Sequence, residues 1–316
     1  MGQYRDCDAE KIQQRPWDEI RHEWMNYVPE RKSPWPVPDH EVYELPSLEL
    51  LLNNLGGPKG RDSTVEEEIA GLRTAVLQEA VISIHKAGNA LRAAAQEGGS
   101  GYRTWSRSTA YHAAFFAMRG VLGLLGVILF SGGDRKKDYQ ADLWAPRAKG
   151  RKPRSTESRF AVRIIRRELG IQHKEMWAVF SRVLRVTKID PSLWPLLARD
   201  PLKTMDPGRF SRVRHQIHYR SAGWLFDDLD SLKNTDDFSP LAEQVASMST
   251  LANPEGDGFP ASLALHTLSM GNALMADLGT DIPQLRAEAE RAAKWMADAP
   301  WKCANAFVLV GTGGGK

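Results

Sequence analysis

Apolar residues recur at helical spacing along most of the chain, and the strongest such segment runs from Ser106 to Val127. One face of this segment carries small residues, including Ala110, Ala114 and Ala117, whereas a second face carries bulky residues such as Tyr111. Small residues let a neighbouring helix approach closely, and bulky residues fill the space on the other side. We therefore predict a long helix inside a bundle, with neighbours on most of its sides.

This segment does not have the pattern of a membrane span. His112 and Arg119 interrupt it, and its longest uncharged run, Gly120 to Gly133, is shorter than the roughly 20 residues that a hydrocarbon core requires. The N-terminal residues also lack the apolar stretch of a secretory signal. These features predict a cytoplasmic protein without a membrane partner.

Similar periodic segments predict further helices along the chain. Thr64 and Glu67 match a capping box before a stripe that stops at Gly98 and Gly99, and Asp206 with Pro207 matches an N-cap and first turn. The predicted helices cover residues 16–28, 45–55, 64–97, 106–127, 156–169, 173–186 and 260–278, a helix that begins at Asp206, and further starts at Ser239 and Asp281. The predicted fold class is all-α.

Glycine, proline and charge clusters divide this pattern into three segments. Residues 1–62 are expected to form an N-terminal helical arm, and residues 63–235 a helical bundle with a basic loop at 132–158. Residues 236–316 are expected to form extra C-terminal helices with a flexible, glycine-rich tail.

Composition and motif content exclude several classes of protein but do not assign a function. The 316 residues are 42% hydrophobic and 26% charged, and the net charge is +3, values typical of soluble globular proteins. The two cysteines, Cys7 and Cys303, do not provide a disulfide framework or a zinc cluster. The sequence also has no dinucleotide fingerprint and no nucleophile elbow, so it predicts neither a cofactor nor a metal.

One region is far more basic than the whole chain. From Arg135 to Arg167 there are 12 Lys or Arg residues against 3 Asp or Glu residues. Arg151, Lys152 and Arg154 are candidate contacts to a phosphate backbone, and two nearby aromatic residues, Tyr139 and Trp144, are candidates for base stacking. A solvated loop explains the same charges equally well.

A second cluster combines arginine and histidine at the predicted helix start after Asp206. In helical geometry Arg214 faces the same way as His218, and Arg212 the same way as His215. A histidine can accept the proton of a ribose 2′-hydroxyl, and a guanidinium can stabilise the charge that develops on the phosphate. Metal-independent RNA cleavage requires these two groups, although a solvated helix end explains the same cluster.

The motif YHAAFFAMRGVLGLLG, followed downstream by an Arg-rich helix start that contains histidine, resembles the HEPN family over roughly residues 64–232. The resemblance implies an α-helical bundle, commonly a dimer, of the kind found in bacterial toxins and antiphage defence proteins. It also implies RNA cleavage by an arginine and a histidine at short spacing. Arg212 with His218, separated by five residues, fits this motif, and Arg209 with His215 fits it equally.

The resemblance implies a metal-independent endoribonuclease, a toxin or antiphage-defence effector, with His218 as general base. Arg212 or Arg214 would stabilise the phosphate, with His215 as the second candidate histidine. Substrate contacts would come from Arg209, Tyr219 and the basic loop, and Arg107, Tyr111 and His112 would line the cleft. The implied partners are RNA, a second copy of the chain, and an antitoxin or sensor protein.

The competing hypothesis is a non-catalytic helical subunit that binds a partner within a larger complex. Its docking surfaces would be the N-terminal tryptophan block and the C-terminal helices from Ser239 onward. The tryptophan count does not separate the two hypotheses, because tryptophan favours both cores and interfaces.

Overall fold

The computed structural model describes residues 15–27, 72–132, 137–146, 160–166, 173–189 and 258–297, together with residues 202, 206, 208–210 and 212. Most of these residues are helical and the sheets are small, so the predicted helical fold class is confirmed. The helices are α1 (Trp17–Tyr27), α2 (Leu72–Gly99), α3 (Arg103–Leu124), α4 (His173–Val186), α5 (Phe259–Leu278) and α6 (Pro283–Ala297). The strands are β1 (Arg15–Pro16), β2 (Val127–Gly132), β3 (Lys137–Pro146), β4 (Phe160–Arg166) and β5 (Thr187–Lys188).

The chain divides into two compact units. Unit 1 comprises residues 1–79 and 122–189, and unit 2 comprises residues 80–121 and 190–316. Helices α2 and α3 therefore contribute residues to both units. The three segments expected from the sequence stay a prediction.

Helix α2 ends in a Schellman motif, which differs in detail from the predicted stop. Gly101 adopts a φ of 87° and donates its N–H to the carbonyl of Gly98 at 3.0 Å, while Tyr102 donates to the carbonyl of Glu97 at 2.9 Å. Glycine is favoured here because the left-handed conformation places no Cβ against the backbone. Gly98 and Gly99 thus lie in the last turn, and Gly101 reverses the chain.

Unit 1 contains an antiparallel sheet in the order β2-β3-β4, which corrects three sequence predictions. The helix predicted for residues 156–169 is wrong, since Phe160–Arg166 forms β4. The loop predicted for residues 132–158 contains β3, and the long helix ends at Leu124 rather than Val127. The physical reason for β4 is the two-residue spacing of the buried side chains Phe160, Val162 and Ile164, which suits a β-strand, and Ile165 is buried as well.

The connection from α3 to β2 depends on Gly126. This residue adopts a φ of 76°, and a Cβ built on it would clash with the indole ring of Trp144. Its carbonyl accepts a hydrogen bond from the N–H of Leu143 at 2.9 Å, which ties the turn to β3. The apolar run Val127–Phe130 therefore starts a strand instead of extending the helix.

The N-terminal helix α1 is part of the core of unit 1. Trp17 and Trp24 are fully buried, and the indole Nε1 of Trp24 donates to the carbonyl of Leu124 at 2.8 Å. Strand β1 pairs in parallel with β5, with Arg15 opposite Thr187. These two tryptophans therefore stabilise the interior, and the prediction that they provide a docking surface is wrong.

Helix α5 lies in the core of unit 2. Eighteen of its 20 residues are buried, so it does not provide the docking surface that the competing hypothesis expected. A Cβ at Gly271 would lie 3.1 Å from Cδ1 of Ile84, and one at Gly120 would lie 2.5 Å from Cγ1 of the same side chain. Gly120 and Gly271 thus allow α3 and α5 to pack closely against α2.

Candidate functional site

The helix start after residue 205 has the predicted N-cap. The carboxylate Oδ1 of Asp206 accepts the backbone N–H of Gly208 at 3.0 Å, and its carbonyl accepts the N–H of Arg209 at 2.9 Å. This arrangement satisfies N–H groups that a helix start otherwise leaves without partners. The prediction of a helix N-terminus at Asp206 is confirmed.

Phe210 anchors this helix start within unit 2. Its fully buried ring stacks on that of Phe259, with ring centroids 6.2 Å apart and planes inclined by 13°. Arg209 and Arg212, on either side of it, are exposed. The buried phenylalanine therefore fixes the first turns of the helix while two guanidinium groups face the solvent.

Seven further residues predicted to act in catalysis or RNA binding fall outside the described part of the chain. They are Arg214, His215, His218 and Tyr219 in the arginine- and histidine-rich segment, and Arg151, Lys152 and Arg154 in the basic region. The pairing of an arginine with His218 or His215 stays a prediction from sequence spacing.

The predicted cleft residues on α3 have different environments. Tyr111 is fully buried, whereas Arg107 and His112 are half-buried. The rings of Tyr111 and His112 meet edge to face, with centroids 6.2 Å apart. Tyr111 therefore belongs to the core, and Arg107 and His112 retain access to solvent.

The two aromatic residues predicted to stack on bases are instead buried in unit 1. The ring of Trp144 meets that of Trp24 edge to face at 4.9 Å, and the guanidinium of Arg73 lies 4.8 Å from its centroid. Tyr139 stacks on Phe130 at 5.3 Å. The base-stacking prediction is therefore wrong for Tyr139 and Trp144, because neighbouring aromatic rings already cover both side chains.

Sequence reasoning missed an ion pair in the interior of unit 1. The guanidinium of Arg15 donates to the carboxylate of Asp142, and both side chains are almost fully buried. The same carboxylate accepts the backbone N–H of Trp144 at 3.1 Å. The two partners lie 127 residues apart, so no local pattern pairs them.

A second missed polar pair lies in unit 2. Nε2 of His85 on α2 and Oε2 of Glu288 on α6 are 2.7 Å apart, and Nη1 of Arg291 lies 3.3 Å from the same oxygen. The pair connects helices 203 residues apart in sequence. Within the described residues, no group of three or more His, Cys, Asp and Glu side chains is placed to hold a metal ion.

Removing the Asp206 cap should loosen the helix start specifically. We expect Asp206→Ala to cost about 1 kcal/mol of local stability, which corresponds to roughly fivefold faster hydrogen exchange at the Gly208 amide. Asp206→Ser retains a capping oxygen and serves as the control, with exchange close to that of the wild type. Exchange measured by NMR checks this prediction, and unchanged exchange in Asp206→Ala would contradict the capping role.

Comparisons with known proteins add no relative. No protein-family model, curated protein or solved structure matches this chain. In the described part of the chain, no helix has both the length and the apolar character that crossing a bilayer requires.

Proposed function

We propose that the protein is a metal-independent endoribonuclease whose site lies on the helix that begins at Asp206. The observation that supports this function is the capped helix start with two exposed arginines, Arg209 and Arg212, on either side of the buried Phe210. Exposed guanidinium groups on an anchored helix are suited to a phosphate group, because they present planar, charged donors without moving the backbone.

The proposed reaction assigns one role to each residue type. His218 removes the proton of a ribose 2′-hydroxyl, the 2′-oxygen forms a bond to the adjacent phosphorus, and the bond from phosphorus to the 5′-oxygen breaks. The departing 5′-oxygen takes up a proton from water, so the products are a 2′,3′-cyclic phosphate and a 5′-hydroxyl. Arg212 stabilises the negative charge on the phosphate, with Arg214 as the other candidate.

The biological setting of this proposal comes from the resemblance to HEPN proteins. A toxin or antiphage-defence effector of this kind acts as a homodimer and is restrained by an antitoxin or sensor protein. Arg209 and Arg212 are the members of the proposed site whose exposure is established, and His215 is the alternative base.

The competing function is a non-catalytic, partner-binding subunit. Trp17, Trp24 and most of α5, which belong to the surfaces expected to serve it, are buried. The ribonuclease proposal does not depend on those elements, and we therefore favour it.

Cleavage of single-stranded RNA by the purified chain in EDTA tests the proposal. We expect cleavage without added metal, and a loss of about 100-fold or more in His218→Ala, the scale of a positioned general base. The double variant Arg209→Ala/Arg212→Ala should lose a comparable factor, whereas Arg185→Ala, which removes an exposed cation of unit 1, should cleave at the wild-type rate.

Two outcomes count against the proposal. A requirement for magnesium would replace the histidine mechanism with metal-ion catalysis. Full activity in both His218→Ala and His215→Ala would show that the helix after Asp206 does not take part in the reaction.

A further inference from the structure

Two exposed aromatic side chains lie at the start of α3, Tyr102 just before its first residue and Trp105 in its first turn. Tyr102 is 58% exposed and Trp105 is 50% exposed, although large aromatic rings usually contribute to a core. The Tyr102 carbonyl accepts the N–H of Ser106 at 2.9 Å, and the Tyr102 N–H closes the Schellman motif of α2. The backbone that carries these rings is therefore held in place by hydrogen bonds on both sides.

The two rings start a continuous row along α3. Thr109, His112, Phe116 and Arg119 follow Trp105 at alternating intervals of four and three residues, the spacing of one helix face. Each of these side chains is half-exposed or exposed. This face of α3 is therefore accessible to solvent from Trp105 to Arg119.

Helix α2 extends the same surface. The hydroxyl of Ser106 donates to the carbonyl of Ala94 at 2.7 Å, which aligns the two antiparallel helices near their connection. Further along, Nζ of Lys86 lies 5.9 Å from the ring centroid of Phe116, and Ile82 is 38% exposed. The face thus combines aromatic rings of α3 with cations of both helices.

The segment that contains most of α2 and α3 carries mainly positive charge. Residues 80–121 contain five Lys or Arg residues and a single carboxylate, Glu97, and α3 contains no acidic residue. A second copy of the chain would bring the same cations face to face, which is unfavourable. An acidic peptide would match the charge but supplies no flat partner for the exposed rings. Single-stranded nucleic acid supplies both phosphates and bases.

We propose that Tyr102, Trp105, Phe116, Lys86 and Arg119, the α2–α3 platform, bind single-stranded RNA. Bases stack on Tyr102 and Trp105, and the cations contact phosphates. From Trp105 to Arg119 the helix rises about 21 Å, at 1.5 Å for each residue. The choice of RNA rests on the proposed ribonuclease function, for which this surface supplies substrate binding.

Binding of a fluorescein-labelled 2′-O-methyl-oligouridine of twelve nucleotides, followed by fluorescence anisotropy, tests the platform. The 2′-O-methyl group blocks cleavage, so binding is measured independently of the ribonuclease reaction. We expect Trp105→Ala to raise Kd by about fivefold to 100-fold, and Trp105→Phe, which keeps a ring, to raise it less. Lys86→Gln/Arg119→Gln should reduce the slope of log Kd against log salt by about 1.4. Arg185→Ala should match the wild type in both measurements.

The outcomes separate this proposal from the proposed reaction. Weakened binding in the platform variants supports the platform, whether or not unmodified RNA is cleaved. Equal affinity for wild type and Trp105→Ala overturns it, as does an absence of binding at about 100 µM protein, the weak limit of non-specific nucleic-acid affinity. Preferential binding of poly-glutamate, or self-association that Trp105→Ala abolishes, also overturns it in favour of a protein partner.

Discussion

Gly126→Ala is expected to destabilise unit 1 by about 3 to 5 kcal/mol, through two independent effects. The backbone at Gly126 has a φ of 76°, a conformation that alanine adopts only at a cost. The added Cβ would also clash with the indole ring of Trp144, and that ring is held between Trp24 and Arg73. Because these neighbours leave the ring little room to move, the turn itself must shift.

Gly99→Ala is the matched control for this substitution. Gly99 has no neighbouring atom within 4 Å of a built Cβ and no positive φ. It should therefore change stability by less than about 1 kcal/mol. Urea unfolding followed by tryptophan fluorescence measures both variants. Equal unfolding midpoints for the two alanine variants would contradict the steric role of Gly126.

Asp142→Ala should destabilise unit 1 by about 3 to 5 kcal/mol, because it leaves the buried guanidinium of Arg15 without its anion. The same change removes the acceptor for the N–H of Trp144, which is 3.1 Å from the carboxylate. Replacing both partners removes the uncompensated charge, so Arg15→Met/Asp142→Leu should be more stable than Asp142→Ala.

Glu290→Ala provides the control for removing a carboxylate. Glu290 is exposed on α6 in unit 2, and its loss should change stability by about 0.5 kcal/mol or less. Urea unfolding of the four proteins gives the comparison. A double variant no more stable than Asp142→Ala would show that an unpaired Arg15 charge is not what destabilises that variant.

Helices with local signals were predicted well from the sequence. Helix α4 has the predicted bounds, and α5 begins one residue before Pro260. Their apolar periodicity and end residues lie within the helix itself, so no distant contact is needed to recognise them. The short run Phe160–Arg166 was ambiguous, since Phe160 and Ile164 fit a helical spacing while Phe160, Val162 and Ile164 fit alternation. Pairing with β3 decides in favour of the strand.

Only those parts of the candidate site that depend on contacts between sequence neighbours could be predicted. The Asp206 cap depends on residues within three positions of one another and was found. The charges around strand β3 favour a loop in the sequence, and the partner that allows Asp142 to be buried is 127 residues away. The α2–α3 platform was missed for a similar reason. Its rings recur at helical spacing in the sequence, but a stripe of core residues has the same spacing. Only the solvent exposure of the rings distinguishes the two.

The chemical nature of the cleaved ends tests the central claim most directly. A 5′-labelled RNA is incubated with the chain in EDTA, and its fragments are analysed by mass spectrometry. Attack by the 2′-oxygen predicts fragments that end in a 2′,3′-cyclic phosphate, or in the 3′-phosphate that forms from it, opposite a 5′-hydroxyl. Fragments with a 3′-hydroxyl and a 5′-phosphate, or intact RNA, would contradict the proposed ribonuclease mechanism.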